Sequence, residues 1–441
     1  MLTTDKKHHP GLWISVLYFA EGLPYTVVNL MSVIFFKDVG ATNEFIGLTS
    51  FLYLPWVLKG FWGLLVDIYS TKRFWILTTE IICIFLFFLL ALSVLISDSL
   101  TVSIIIFAAI AFVSATHDIA IDGFYLSALS KEQQALYVGV QTTAYKVAWL
   151  AGNGGLVFLA GYFANQYIVG TTETNIRVFR DINFSLFDLA IKFHPLRMGW
   201  SLAFILAGII LLLIYIFQLW YLPHLESNLL EYNKDTYKNQ FFHVFKKYFS
   251  QYRIAWIFTY IITFRLGDAF MLKMTPPFLM DKFGKGGLGI STAEVGYLYG
   301  IVGIVFLLIG GIIGGYLIAK QGLKKWLLPT AILQNSAILI YWILAVYKPS
   351  ITWVYFVNAF EQFSYGIGVS AYTVFLMSNV NPEYKTSHYA ITTALMATGI
   401  FIPGLFSGYI ETRVGYEYYF LLSFFVSVPG LITIFFLPLE D

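Results

Sequence analysis

The chain has 441 residues, of which 58 % are hydrophobic, 19 % aromatic and only 12 % charged, with a formal net charge of +2. A soluble protein carries roughly 25 % charged residues, so this inventory excludes a water-soluble enzyme, a disordered chain and a nucleic-acid binder. The single cysteine, Cys83, sits inside an apolar run and excludes a disulfide framework or a zinc cluster. A polytopic membrane protein remains.

One helix crosses the hydrocarbon layer in about 20 apolar residues, and the sequence predicts twelve such stretches. In chain order they begin near Gly11, Glu44, Phe74, Thr101, Gln134 and Leu196, then near Ile254, Thr292, Trp326, Ile351, Tyr384 and Gly415. Their apolar runs are continuous rather than alternating, which favours helices over a barrel. The expected fold is therefore an all-α polytopic membrane protein with two six-helix bundles. Met1–Pro10 is too polar for a secretory signal, and no small-residue cleavage site follows, so the first span is expected to be retained. Fourteen Lys and Arg fall in one set of connections and nine in the other. The richer side is expected to be cytoplasmic by the positive-inside rule, which puts both termini in the cytoplasm; the inner membrane is the expected location.

The longest polar break, residues 222–253, reads as a cytoplasmic linker between an N-terminal bundle, 1–221, and a C-terminal bundle, 254–441. The connections after the second and eighth stretches correspond. Gly63 is followed by Asp67, Lys72 and Arg73, and Gly315 by Lys320, Lys324 and Lys325. Parallel repeats of this kind build transporters that bind substrate between the halves. Asp67, Lys72 and Arg73 are expected to form a gating loop.

A charged side chain at mid-span costs roughly 2.5–3.5 kcal/mol on insertion scales, so it faces a partner or a wet cavity. Glu21, Asp118, Asp122, Lys146, Arg265, Asp268 and Glu361 all lie at such depth. Asp118 and Asp122, four residues apart, share one helix face. Lys146 sits at similar depth and is the expected partner of Asp118. Arg265 and Asp268 are one turn apart. They either neutralise each other or part, with Arg265 taking an anionic substrate group and Asp268 a proton. Asn358, Glu361 and Tyr365 form a stripe suited to a hydroxyl-rich ligand, because rings stack on sugar faces while polar tips hydrogen-bond. Glu21 with Tyr25, and Trp149 with Asn153, repeat the theme. Proton coupling is assigned to Asp268, Asp118, Asp122 and Glu361. Substrate contact is assigned to Glu21, Tyr25, Lys146, Trp149, Asn153, Arg265, Asn358, Glu361, Gln362 and Tyr365. No phosphate-cradling glycine loop, metal spacing or nucleophile set is present, so neither an enzyme nor a cofactor is expected.

Four motifs in order resemble one group of transporters. Ser114-Ala-Thr-His-Asp-Ile-Ala-Ile-Asp122-Gly, Glu21-Gly-Leu-Pro24, Arg265-Leu-Gly-Asp-Ala269 and Phe360-Glu-Gln-Phe-Ser-Tyr-Gly-Ile-Gly368 are similar to motifs of AmpG-type anhydromuropeptide permeases. The same motifs resemble those of acetyl-coenzyme A transporter relatives, in the same branch of the major facilitator superfamily. The resemblance implies proton-driven import of a sugar–peptide wall fragment, with acetyl-coenzyme A or another anionic solute as the alternative cargo. The partners it implies are that small molecule, protons and the lipid bilayer. The connection Ala164–Pro195 is long for the group.

Overall fold

The computed structural model describes residues 8–63, 66, 70–96, 99–171, 177–186, 189–224, 243–380 and 385–439. Asp67 and most of the 222–253 connection lie outside the described residues. In chain order the elements begin with α1 (Pro10–Thr26), a widened turn at Val27–Met31, α2 (Ser32–Asp38), α3 (Asn43–Leu48) and α4 (Leu54–Leu58). They continue with α5 (Lys72–Ser93), α6 (Ser99–Ala128), α7 (Lys131–Trp149), a second widened turn at Leu150–Leu156, and α8 (Val157–Asn165). Four short strands follow, β1 (Ile168–Thr171), β2 (Arg177–Phe179), β3 (Ile182–Leu186) and β4 (Leu189–Phe193), and then α9 (Pro195–Tyr221). The rest is α10 (Ile254–Phe264), α11 (Leu266–Met280), α12 (Thr292–Tyr297), a widened turn at Leu298–Gly303, α13 (Ile304–Gln321), α14 (Leu323–Tyr347), α15 (Ile351–Ser378) and α16 (Lys385–Thr433).

Among the described residues, nine helices have the length and apolarity to cross a membrane. Local chemistry sets several of their ends. Thr71 accepts the Phe74 amide at 3.1 Å and starts α5. Ser130 and Gln133 form a reciprocal capping box at the head of α7, and Ser291 and Glu294 another at α12. Gly415, at φ 75° and ψ 163°, breaks the long stretch named α16; only glycine adopts that conformation without strain. Cys83, in α5, is buried.

The chain divides into two compact units. One comprises Met1–Ala41, Leu52–Tyr232 and Ser291–Gly300; the other comprises Thr42–Phe51, Asn233–Ile290 and Ile301–Asp441. In the first unit Trp13, Leu17, Ile76, Ile121 and Phe124 form a buried apolar cluster. Arg73 donates to the Leu219 carbonyl at 2.9 Å and the Leu222 carbonyl at 3.3 Å, closing the C-terminal end of α9 whose last carbonyls lack helical partners. Lys72 lays its aliphatic stem over Gly123. Segment 291–300 is held here by Thr292, which donates to Asp38 at 2.6 Å, and by the Arg177–Glu294 ion pair at 3.3 Å.

In the second unit Tyr260, Phe264, Tyr372, Phe375 and Leu327 are the centre of the core. Phe264 and Tyr372 stack at 4.5 Å, and Tyr372 donates to the Ile261 carbonyl at 2.7 Å. Segment 42–51 belongs to this unit and packs on α16. A Cβ at Gly408 would come 1.6 Å from the Asn43 carbonyl oxygen, so only glycine admits that approach. Asn43 also donates to Tyr416 at 2.9 Å, and Tyr416 donates to Asp281 at 2.6 Å.

The fold departs from the all-helical expectation in one place. The long connection before α9 forms two antiparallel hairpins, β1 with β2 and β3 with β4. In the second hairpin Ile182 lies opposite Phe193 and Asn183 opposite Lys192. These two pairs, one apolar and one polar, fall on alternate faces.

Candidate functional site

Each unit encloses its own group of buried charges. In the first unit α1 and α6 bring together Glu21, Asp118 and Asp122. Glu21 is 7 % exposed and Asp118 8 %, values low enough to require a partner or a proton. Lys59, just beyond α4, pairs with Asp118. Tyr18 donates to Asp122 Oδ1 at 2.9 Å. One ammonium therefore serves three carboxyls. Glu21 Oε2 has no hydrogen-bond partner among the described residues.

The expected Lys146–Asp118 pair is corrected by this geometry. Lys59 takes that place, because α4 and the turn after it pack against α6. Lys146 is half-buried in α7 and makes no ion pair among the described residues. His117 shares a hydrogen bond of 2.9 Å with Thr79, a helix-to-helix contact off the acidic face.

Beside this charged group stands a set of rings. Tyr25 donates to the Tyr53 hydroxyl at 2.9 Å, with Trp56 at 5.1 Å and Tyr145 at 5.9 Å between ring centroids. All four are half-buried, so their faces are not consumed by packing. Trp149 is half-buried near the end of α7, and Asn153 is buried in the widened turn that follows. That turn frees the backbone from the regular ladder and is a common feature of functional helices.

In the second unit the helix breaks at Arg265, whose φ of −87° and ψ of −11° separate α10 from α11. The break falls at the arginine itself, not at Gly267 or the Pro276–Pro277 pair. The guanidinium is shared: one terminal nitrogen lies 3.0 Å from Asp268 Oδ2, and the other donates to the Tyr365 hydroxyl at 3.1 Å. Its Nε has no acceptor among the described residues. On α15, Glu361 accepts from Gln362 at 2.8 Å through one oxygen, while its other oxygen and both amide atoms of Asn358 have no partner among the described residues. Asn358 is fully buried. Orphaned polar groups at such depth are expensive.

The sequence singles out Glu21, Asp118, Asp122, Arg265, Asp268, Glu361 and Tyr365 one helix at a time, and the structure brings the first three into one group and the other four into another. The sequence reading omitted Lys59, which sits between apolar neighbours in Trp-Val-Leu-Lys59-Gly-Phe. It also omitted Glu80, which is 1 % exposed in α5 with neither oxygen partnered among the described residues. Both carry the mid-span charge signal that found the others.

Charged groups enclosed among helices long and apolar enough to cross a membrane are the architecture of a polytopic membrane protein. The chain belongs to the Major Facilitator Superfamily, whose profile matches residues 14–402. It is 24 % identical to the anhydromuropeptide permease of Escherichia coli, over 95 % of this chain and 78 % of that one. An uncharacterised Haemophilus influenzae protein is 23 % identical over 96 % and 93 % of the two chains. A Rickettsia conorii protein carrying the AmpG transporter name is 21 % identical over 96 % and 95 %. Among solved structures, a D-xylose–proton symporter superposes with a TM-score of 0.67 at 12 % identity, covering 97 % of this chain and 96 % of that one. The nucleoside transporter NupG gives 0.65 at 13 % identity, covering 96 % and 98 %. The fold is that of these transporters, and the chain is a multi-pass membrane transporter.

Proposed function

We propose that the chain is a proton-coupled secondary importer of a sugar–peptide cell-wall fragment, with twelve spans and both termini in the cytoplasm. The observation that carries the coupling is that carboxyls outnumber cations within each of the two charged groups, Lys146 and Lys273 standing outside them with no ion pair among the described residues. Glu21, Asp118 and Asp122 stand against Lys59, and Asp268 and Glu361 against Arg265. Uncompensated charge in a spanning helix is costly, and a proton is the ligand that removes it. The ring set of Tyr25, Tyr53, Trp56 and Tyr145 supports a sugar ligand. The unpartnered groups of Asn358, Glu361 and Arg265 Nε, with Tyr365 and Gln362, support contact with hydroxyls and amides. The relationship to the E. coli permease supports the wall-fragment cargo. An anionic organic solute such as acetyl-coenzyme A is the second reading, favoured by Lys146, which has no carboxylate partner among the described residues.

Coupling follows from the shared guanidinium. When the substrate draws Arg265 away from Asp268, the acid loses its counter-charge and takes up a proton. Substrate binding then promotes proton binding, and the coupling is reciprocal. The test is uptake of a labelled muropeptide into proteoliposomes, with and without an inward proton gradient. Asp268→Asn mimics the neutral acid, so it should abolish accumulation against a gradient while exchange between equal pools persists. A variant that still concentrates substrate in response to the gradient removes Asp268 from the coupling role and passes it to Asp118, Asp122 or Glu361.

A further inference from the structure

We propose that Lys273 is a docking point for a carboxylate of the transported molecule, an inference that rests on the transport reading above and extends its site. Lys273 lies in α11, eight residues beyond Arg265 and so about 12 Å further along the helix. Its ammonium is half-buried and donates to Thr49 Oγ1 at 2.9 Å. Thr49 is buried, and its own hydroxyl proton goes to the Ile46 carbonyl at 2.7 Å. Toward Lys273 it can therefore only accept. An ammonium has three donors, so two remain after Thr49 is served. No carboxylate lies within ion-pair distance of Lys273 among the described residues. Arg265, by contrast, is already engaged by Asp268 and Tyr365.

A lysine held in a spanning helix without a counter-charge is a costly arrangement. An arriving anion relieves that cost, so the free protein is built with one charge of the pair in place. A compact ammonium takes a carboxylate without demanding the two-point geometry of a guanidinium. In a sugar–peptide the peptide carries free carboxylates and neutral sugar rings do not, so Lys273 reads the peptide portion. The Thr49 hydroxyl keeps the long side chain extended toward that group before the cargo arrives.

The test compares uptake of two probes into proteoliposomes: a disaccharide tripeptide muropeptide, and the same molecule with its peptide carboxyls converted to carboxamides. Lys273→Gln retains a donor for Thr49 but loses the charge. It should raise KM for the acid probe at least tenfold with little change in maximal rate, and leave KM for the amide probe within twofold. Lys273→Arg should restore most of the acid preference. Equal losses for both probes, or no loss for either, overturn the anion site while leaving the transport reading intact. If the wild-type protein takes up neither probe, the cargo reading fails and this inference falls with it.

Discussion

At the residue scale, the positions of buried charges were readable from the sequence while their pairings were not. An acidic or basic residue inside an apolar run is a one-dimensional signal, and Glu21, Asp118, Asp122, Arg265, Asp268 and Glu361 all carry it. Which lysine meets Asp118 depends on how α4 and α7 pack against α6, and no spacing along the chain encodes that. Lys59 and Lys146 should accordingly behave differently when the charge is removed. Lys59→Met leaves Asp118 buried without its cation, and losing one partner of a buried polar pair costs about 1–3 kcal/mol. The variant should show a lower Tm in detergent together with weakened transport. Lys146→Met breaks no ion pair among the described residues, so its Tm should stay near wild type while KM for an anionic cargo rises. A thermal-shift series on both variants checks the contrast; equal Tm values would contradict the assignment of Lys59 as the partner. Tyr372 teaches the same lesson from the other side. It shares a helical stripe with Glu361 and Tyr365, yet packing turns it into the core against Phe264.

At the element scale, helix existence was legible because continuous apolar runs of membrane length have few alternatives. The break at Gly415 coincides with the expected start of the last stretch, since a glycine between two apolar runs marks a turn. The two hairpins were not legible, because strands of three to five residues in a long polar connection give too few alternations to outweigh a loop. Their exit into α9 carries a titratable cap. His194 Nδ1 accepts the Leu196 amide at 3.3 Å, which requires that nitrogen to be unprotonated. Partial burial, joined by the positive charge of Arg197, holds His194 below the ordinary imidazole value against the opposing pull of Asp181. A folded value below the unfolded one, about 6.5, means that the cap's contribution is present above that pH and is lost as pH falls through the folded value. The protection factors of the amides at residues 196–199, referred to the intrinsic exchange rate at each pH, should therefore fall on acidification. His194→Asn supplies an acceptor that does not titrate, so the loss of protection should disappear; an unchanged pH response in that variant would remove His194 from the cap.

At the scale of the whole molecule, the chain forms two compact units, while the polar break at 222–253 stays an expectation for the boundary between two bundles, 1–221 and 254–441. The exchange of residues 42–51 and 291–300 was not legible in the sequence, because it depends on glycine contacts such as Gly408 against Asn43, which join residues more than 350 positions apart. Orientation remains a proposal with a direct check. A fluorescent protein fused at the C-terminus should fluoresce in cells, since it matures in the cytoplasm, and alkaline phosphatase fused after Thr171 should be active outside it. Inactive phosphatase with a dark C-terminal fusion would invert the topology. Cys83 adds a practical consequence. A chain whose only thiol is enclosed in a helix core is, without any engineering, nearly silent to maleimides and to nitroxide reagents. Pairs of introduced cysteines can then be spin-labelled in the otherwise native protein, and the distances between them would follow its alternation from one membrane face to the other during turnover.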